Sequence, residues 1–511
     1  MIEIDGNHLT IKDVVSVAHK GEKVAISSQA RKKINRSHNW VQEIIEKGKP
    51  VYGVNTGFGI FADKQISTGD IEKLNRNLIL SHAVGTGPDL SPEVVRAAVL
   101  IRANTLANGY SGIRLEMVET LISLLNKELT PCIPSQGSLG SSGDLPPLSH
   151  LALVISKDEI DHENESGWVL FKGQKIRGKI GMKEVGIERQ ILGPKEGLAI
   201  TNGATFSAAI AALTIELATT LFTTAEVALA MSLEAILGVS TAYDEKLHII
   251  RGQKGQMGVA ERVRNLNKGS TLLDQSGRIQ DVYSIRCAPQ VQGPAWDTLD
   301  FVQRLISQEI NATTDNPLIF ERGEAISGGN FHGEVVGMAM DYLKIAMAEV
   351  GAISERRTYH LLDSNLNSGL PPMLVGTSEA AGLNSGMMMP HYAAASLVLE
   401  NQHLSHPDST KSLPASGGQE DHNANAMTAA RHASQIAFNC AHIISIELYC
   451  AARALDLRLR EIPKAKMGKS VEKAHSLIRE NIPLHLEDTL WGQEIDKVRE
   501  MVLAGKFSAL C

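Results

Sequence analysis

Aromatic side chains are scarce in this sequence, at 4 % of 511 residues, and cysteine is scarcer still. The five cysteines, Cys132, Cys287, Cys440, Cys450 and Cys511, are widely spread and form no CxxC pair, which excludes a disulfide framework and a zinc ribbon and makes a reducing cytoplasm the expectation. Basic charge is not in excess: 50 Lys and Arg stand against 57 Asp and Glu, a formal net charge of −7, with no basic patch. Nucleic acid and anionic membrane are therefore poor candidates as partners. Neither GxxxxGK[ST] nor a strand-adjacent GxGxxG is present, and the 17 histidines include no HExxH, so no phosphate cradle and no metal site are expected. The opening Met1-Ile-Glu-Ile-Asp-Gly6 carries acids where a signal peptide needs basic and then apolar residues. No long apolar run is uninterrupted. The most apolar stretch, Leu198 to Leu237, contains Gly203, Glu216, Glu226 and Glu234, and three carboxylates would each be expensive in lipid, so it reads as a buried helix and not a membrane span.

What the sequence does have is a 43 % hydrophobic, 21 % charged composition and long helical patterns, with no repeat or low-complexity tract. Val95, Val99, Ala103 and Leu106 recur at helical spacing, and Gly109 and Gly112 mark a turn between two helices over Ser91 to Leu125. Val169 to Ile176 reads as a small hairpin about Lys172-Gly173. From about Leu198 onward the pattern is helix after helix: Ser207 to Leu237, Val335 to Leu362 and Ala424 to Arg460. Several helices of this length predict a mainly α fold built as a bundle.

Two glycine-rich stretches interrupt this pattern. Val51 to Ile60 is a loop, and Ser135 to Gly143 is another, followed by Asp144 as an expected N-cap and by Pro146 and Pro147 in the first turn of a helix. Ser142-Gly143 therefore sits at a helix N-terminus. A glycine nitrogen in such a loop can approach the carbonyl carbon two residues back and close a five-membered ring, while the serine between them loses its hydroxyl as water. The product is an internal electrophile.

Gly137 to His150 (GSLGSSGDLPPLSH) resembles the prosthetic-group loop of the histidine and phenylalanine ammonia-lyase family, whose Ala-Ser-Gly triplet matures to 4-methylidene-imidazol-5-one (MIO). Further matches follow in family order: Tyr52 to Gly59, Asn202-Gly203, Tyr283 to Gln290, Thr314 to Pro317, Ser327 to His332, and Gln419-Glu-Asp-His422. The resemblance implies a mainly α chain with an N-terminal domain, residues 1–197, carrying the MIO loop and a long-helix bundle, residues 198–511. It also implies homotetramers whose active sites combine several subunits, acting on a small amino acid.

By resemblance, MIO forms from Ser141, Ser142 and Gly143, Tyr52 removes the substrate β-proton and Tyr283 lies beside the prosthetic group. Arg286 would hold the substrate carboxylate, Asn202 would hydrogen-bond at the prosthetic group or substrate amine, and Gln280 and Phe331 would shape the pocket. Ser141 supplies a carbonyl, its side chain being a spectator. Ser81-His82 and Glu420 resemble the histidine-specific members, and a buried carboxylate is an unpaired cost unless the substrate ring offers it a hydrogen bond, as imidazole does and phenyl does not. The expected activity is conversion of L-histidine to trans-urocanate and ammonia in histidine catabolism. The first triplet residue is Ser141 where the family has Ala, and Ala204-Thr205, Gly417-Gly418 and Asn423-Ala-Asn425 also depart from its pattern. These departures leave open a lyase or 2,3-aminomutase on another aromatic amino acid, and a non-catalytic helical homologue without mature MIO.

Overall fold

A computed structural model describes residues 1–48 and 50–511. The described residues form 18 α-helices and only short strands of two to four residues, so the fold is mainly α. The chain divides into two compact units: Met1–Glu216 with Gln303–Asp341 and Pro407–Arg431, and Leu217–Val302 with Tyr342–His406 and His432–Cys511. The boundary expected at 197/198 falls inside the first segment of the first unit.

All the described strands belong to the first unit. They make four two-stranded sheets and one three-stranded sheet, the last containing the expected hairpin, Trp168–Phe171 against Gln174–Arg177. Its core is the helix Pro92–Ala107, which is buried on almost every side and packs on Ile11–Lys20 and Leu115–Asn126. The Ser91 hydroxyl caps its first turn, accepting from the Val94 amide, and Pro92 at the first position sacrifices no helical hydrogen bond.

The second unit has helices and no strand among the described residues. Its buried carboxylates are satisfied by side chains the apolar pattern did not reveal. Glu226 accepts from Arg262 at 2.5 and 2.7 Å and from the Trp296 indole at 2.7 Å. Glu447, fully buried, accepts two bonds from Arg357, at 2.6 and 2.7 Å, and one each from Ser232 and Ser354, at 2.9 and 2.6 Å. Thr205–Ala235 is the one described helix long and apolar enough to cross a membrane, and 72 % of its most apolar stretch is buried. Burial of charge inside protein is permitted where each oxygen finds a donor. Helix Ala288–Glu309 was not anticipated, because Gly293 and Pro294 interrupt its pattern; Pro294 is nonetheless accommodated inside it.

Candidate active site

The loop of residues 137–143 runs into helix Leu145–Ile155, with Ser142-Gly143 immediately before its first turn as expected. Asp144 occupies the N-cap position, yet its side chain does not cap this helix. Its carboxylate turns instead to the start of the next long helix, where Oδ2 accepts from the Ser207 amide and hydroxyl, both at 2.8 Å, while Oδ1 accepts from Ser138 Oγ at 2.8 Å. One buried carboxylate thus ties the loop to the N-terminus of Thr205–Ala235, whose dipole favours negative charge. Burial still holds the Asp144 carboxyl above its ordinary range.

Backbone pairing fixes the rest of the loop. Gly143 and Gly203 form a parallel bridge, with the Gly203 amide donating to Ser142 O at 3.2 Å and the Asp144 amide to Gly203 O at 2.9 Å. A Cβ on Gly143 would lie 2.0 Å from the Gly203 carbonyl carbon, and its φ of +77° is left-handed, so only glycine fits. The Asn425 amide donates to Leu139 O at 2.8 Å and the Gly333 amide to Gly140 O at 2.9 Å. A side-chain-free residue 143, a serine before it and a backbone carbonyl two residues back, that of Ser141, are what MIO formation requires, so the residues present fit that group.

Glu420 is hydrogen-bonded to two of the predicted side chains. Its two oxygens accept from Ser141 Oγ at 2.6 Å and from Ser142 Oγ at 3.0 Å, so the Ser141 side chain is engaged and not a bystander. A backbone bridge between Ala415 and Glu420 closes the turn that presents this carboxylate. Its negative charge reaches both Tyr52 and His82. Burial first, then Glu420, push the Tyr52 phenol above its ordinary value, against a 3.4 Å hydrogen bond from the Gly59 amide. Burial pushes the His82 imidazole down, outweighing the opposite pull of the Leu78 carbonyl and Glu420, which keeps the ring neutral at neutral pH. Ser81 Oγ sits 2.9 Å from His82 Nδ1.

Asn202 is buried beside the loop, its side-chain amide donating to Asn316 O at 3.1 Å. Phe331 is half-buried in the same unit. Gln280, Tyr283 and Arg286 belong to the second unit, where Gln280 and Tyr283 are exposed and the Arg286 guanidinium lies 4.6 Å from the centre of the Tyr283 ring. Arg286 Nε is buried without a hydrogen-bond partner.

Two charges that support the site were not singled out from sequence. Arg102, fully buried, donates to the backbone carbonyls of Ala199 and Asn202, and burial pulls it down to about 10. Lys195 donates to Asp315 Oδ2 at 2.6 Å, both side chains being fully buried. The one available signal was a lone arginine within the apolar run Ala97 to Ala107.

The aromatic amino acid lyase family profile matches residues 9–480. The chain is 43 % identical over 508 residues to a histidine ammonia-lyase of Caldanaerobacter subterraneus subsp. tengcongensis, covering 99 % of this chain and 97 % of that one. Its fold matches the crystal structure of histidine ammonia-lyase from Trypanosoma cruzi with a TM-score of 0.90 at 37 % identity, covering 100 % of this chain and 94 % of the other. It also matches tyrosine aminomutase from Streptomyces globisporus with a TM-score of 0.92 at 32 % identity, covering 100 % and 98 %. A profile match over most of the sequence and full-length relatives at this identity establish that the chain belongs to the aromatic amino acid lyase family.

Proposed function

We propose that this protein is a histidine ammonia-lyase, a carbon-nitrogen lyase that eliminates ammonia from L-histidine to give trans-urocanate. The observation that carries this reading is the position of Glu420, hydrogen-bonded to Ser141 and Ser142 while its charge is felt at Tyr52 and His82. An acceptor carboxylate beside a neutral histidine suits an imidazole ring; a phenyl ring would leave the carboxylate oxygen released by Ser142 without a donor. The names of the full-length bacterial relatives support the same substrate.

MIO, formed from Ser141-Ser142-Gly143, supplies an electrophile for the substrate amine. The chain's own side chains do the rest. Tyr52 takes the β-proton, Arg286 holds the substrate carboxylate through its planar fork, and Asn202 hydrogen-bonds near the amine. His82 and Glu420 orient the imidazole, Gln280 and Phe331 bound the pocket, and Tyr283 stands beside the prosthetic group. The positive end of the dipole of helix Leu145–Ile155 lies at the loop, where negative charge builds during the reaction.

A homotetramer in the cytoplasm, serving histidine catabolism, completes the proposal. Exposed Tyr342, Tyr359, Tyr392 and Phe438 on the helices of the second unit support self-association, and all five cysteines are unpaired. The aminomutase fold match favours a second reading, a lyase or 2,3-aminomutase on another aromatic amino acid.

The test is to incubate purified protein with L-histidine, L-phenylalanine and L-tyrosine in parallel and follow the ultraviolet absorbance of the products. Urocanate from histidine and no product from the other two is expected, with Ser142→Ala silent and Glu420→Gln lowering turnover of histidine. Turnover of tyrosine or phenylalanine in preference to histidine would hand the site to the second reading. Silence on all three, with a loop peptide of unreduced mass, would leave a non-catalytic homologue.

A further inference from the structure

Ser141 stands where the family's triplet has alanine, and in this structure its hydroxyl has a partner. Ser141 is buried at 7 % exposure, and its Oγ donates to Glu420 Oε2 at 2.6 Å, the shorter of the two serine bonds to that carboxylate. The longer bond, from Ser142 at 3.0 Å, is lost on maturation. Ring closure joins the Gly143 nitrogen to the Ser141 carbonyl carbon, and that carbonyl oxygen leaves as water with the amide hydrogens of Ser142 and Gly143. The Ser142 hydroxyl then departs with its α-hydrogen as a second water, creating the methylidene. The Ser141 side chain takes part in neither loss. Its bond to Glu420 is the one that can persist in the mature loop.

We propose that Ser141 is a positioning residue for substrate selection: its hydroxyl holds the Glu420 carboxylate by one oxygen, so that the oxygen released by Ser142 is free to accept from the substrate imidazole. The inference rests on the assignment of Glu420 to the imidazole and deepens it. Held at one oxygen only, a carboxylate loses rotational freedom about its terminal torsion before substrate arrives, which lowers the entropic cost of binding. An alanine-bearing loop lacks this hold and must fix the carboxylate by other means.

The experiment compares wild type, Ser141→Ala and Ser141→Thr, each alone and combined with Glu420→Gln, by steady-state kinetics on L-histidine and by mass of the loop peptide. Expected for Ser141→Ala is a fully matured loop, because alanine is what the family carries there, with KM for histidine raised about tenfold and kcat within about twofold. Ser141→Thr, which keeps the hydroxyl, restores KM. In the Glu420→Gln background, removing the Ser141 hydroxyl makes no further difference, since the charge it held is gone. Three results would overturn the proposal: unchanged histidine kinetics in Ser141→Ala, an equal loss with and without the Glu420 carboxylate, or an unmatured loop, which would give the hydroxyl to ring closure. Failure of the underlying functional reading looks different, because wild type itself then makes no urocanate.

Discussion

Replacing Gly143 by alanine isolates the geometry on which the prosthetic loop depends, because the structure supplies a matched control. Gly143 and Gly173 have almost the same left-handed backbone, φ +77° and +78°, but a Cβ on Gly173 meets nothing within 4 Å. Gly173→Ala therefore measures the conformational penalty alone, about 1–2 kcal/mol. At Gly143 the same penalty applies, and the added carbon also falls 2.0 Å from the Gly203 carbonyl carbon and 2.3 Å from its oxygen. Backbone cannot rotate away as a side chain can. Relief requires the two strands of the bridge to part, which breaks the 3.2 Å bond from the Gly203 amide to Ser142 O and the 2.9 Å bond from the Asp144 amide to Gly203 O. At ~1 kcal/mol for each bond, the local penalty reaches roughly 3–4 kcal/mol. The prediction is that Gly143→Ala yields protein whose loop peptide keeps its unreacted mass, whereas Gly173→Ala yields a peptide two waters lighter and normal turnover. Peptide mass spectrometry with parallel thermal denaturation reads both effects. A matured Gly143→Ala loop, with melting indistinguishable from Gly173→Ala, would refute the claim that the Gly143–Gly203 contact sets the ring-closing geometry.

Tyr52→Phe should lower kcat by about 10²–10⁴-fold, the usual worth of a positioned general base. Because burial and Glu420 raise the Tyr52 phenol, wild-type kcat/KM should climb toward alkaline pH, and that limb should move to lower pH in Glu420→Gln; a limb that stays in place would count against electrostatic coupling between these groups. In the second unit, Arg357→Met leaves the Glu447 carboxylate buried without its cation and should destabilise by about 3–5 kcal/mol in denaturant melts, whereas Arg357→Met with Glu447→Leu should recover most of that loss. His360 is 4 % exposed, and burial followed by the nearby Arg278 pulls it down to about 4. Its folded value lies below its unfolded value, so the fold favours the neutral ring: stability is complete above about pH 6.5 and falls by about 3 kcal/mol as pH drops toward 4. His360→Leu should flatten that slope, and a wild type equally stable across the window would contradict the assignment.

The sequence was most transparent where physics is local. Apolar spacing located Thr205–Ala235, Glu334–Leu362 and Ala426–Glu461 to within a few residues, and the Lys172-Gly173 turn located the hairpin, because periodicity and turn chemistry act over a handful of positions. Local rules misled at Asp144, which has the right type and place to cap its own helix but serves Ser207 of another. They were silent on Lys195 and Arg102, whose partners lie about 100 residues or more away in sequence, as does Glu420 from the two serines. The candidate site divides the same way. Its residue types were legible as motifs, whereas the hydrogen bond that turns the Ser141 side chain from bystander to partner exists only once the chain has brought distant turns together.

The bridge between Gly143 and Gly203 also sets a clock. The Gly143 nitrogen and the Ser141 carbonyl carbon that would join lie two residues apart in sequence, but the backbone packed against Gly143 is made later in synthesis: first Gly203, then Thr314, whose hydroxyl abuts the side-chain-free face of Gly203. At the ~5–20 residues per second of translation, roughly 10–30 s separate emergence of the Ser-Ser-Gly triplet from emergence of Thr314. Through that interval the nascent loop would be an ordinary Ser-Ser-Gly. If the loop matures as proposed, the electrophile would arise only in chains that have completed the surrounding architecture, and an unfolded or truncated copy would carry no reactive group into the cell.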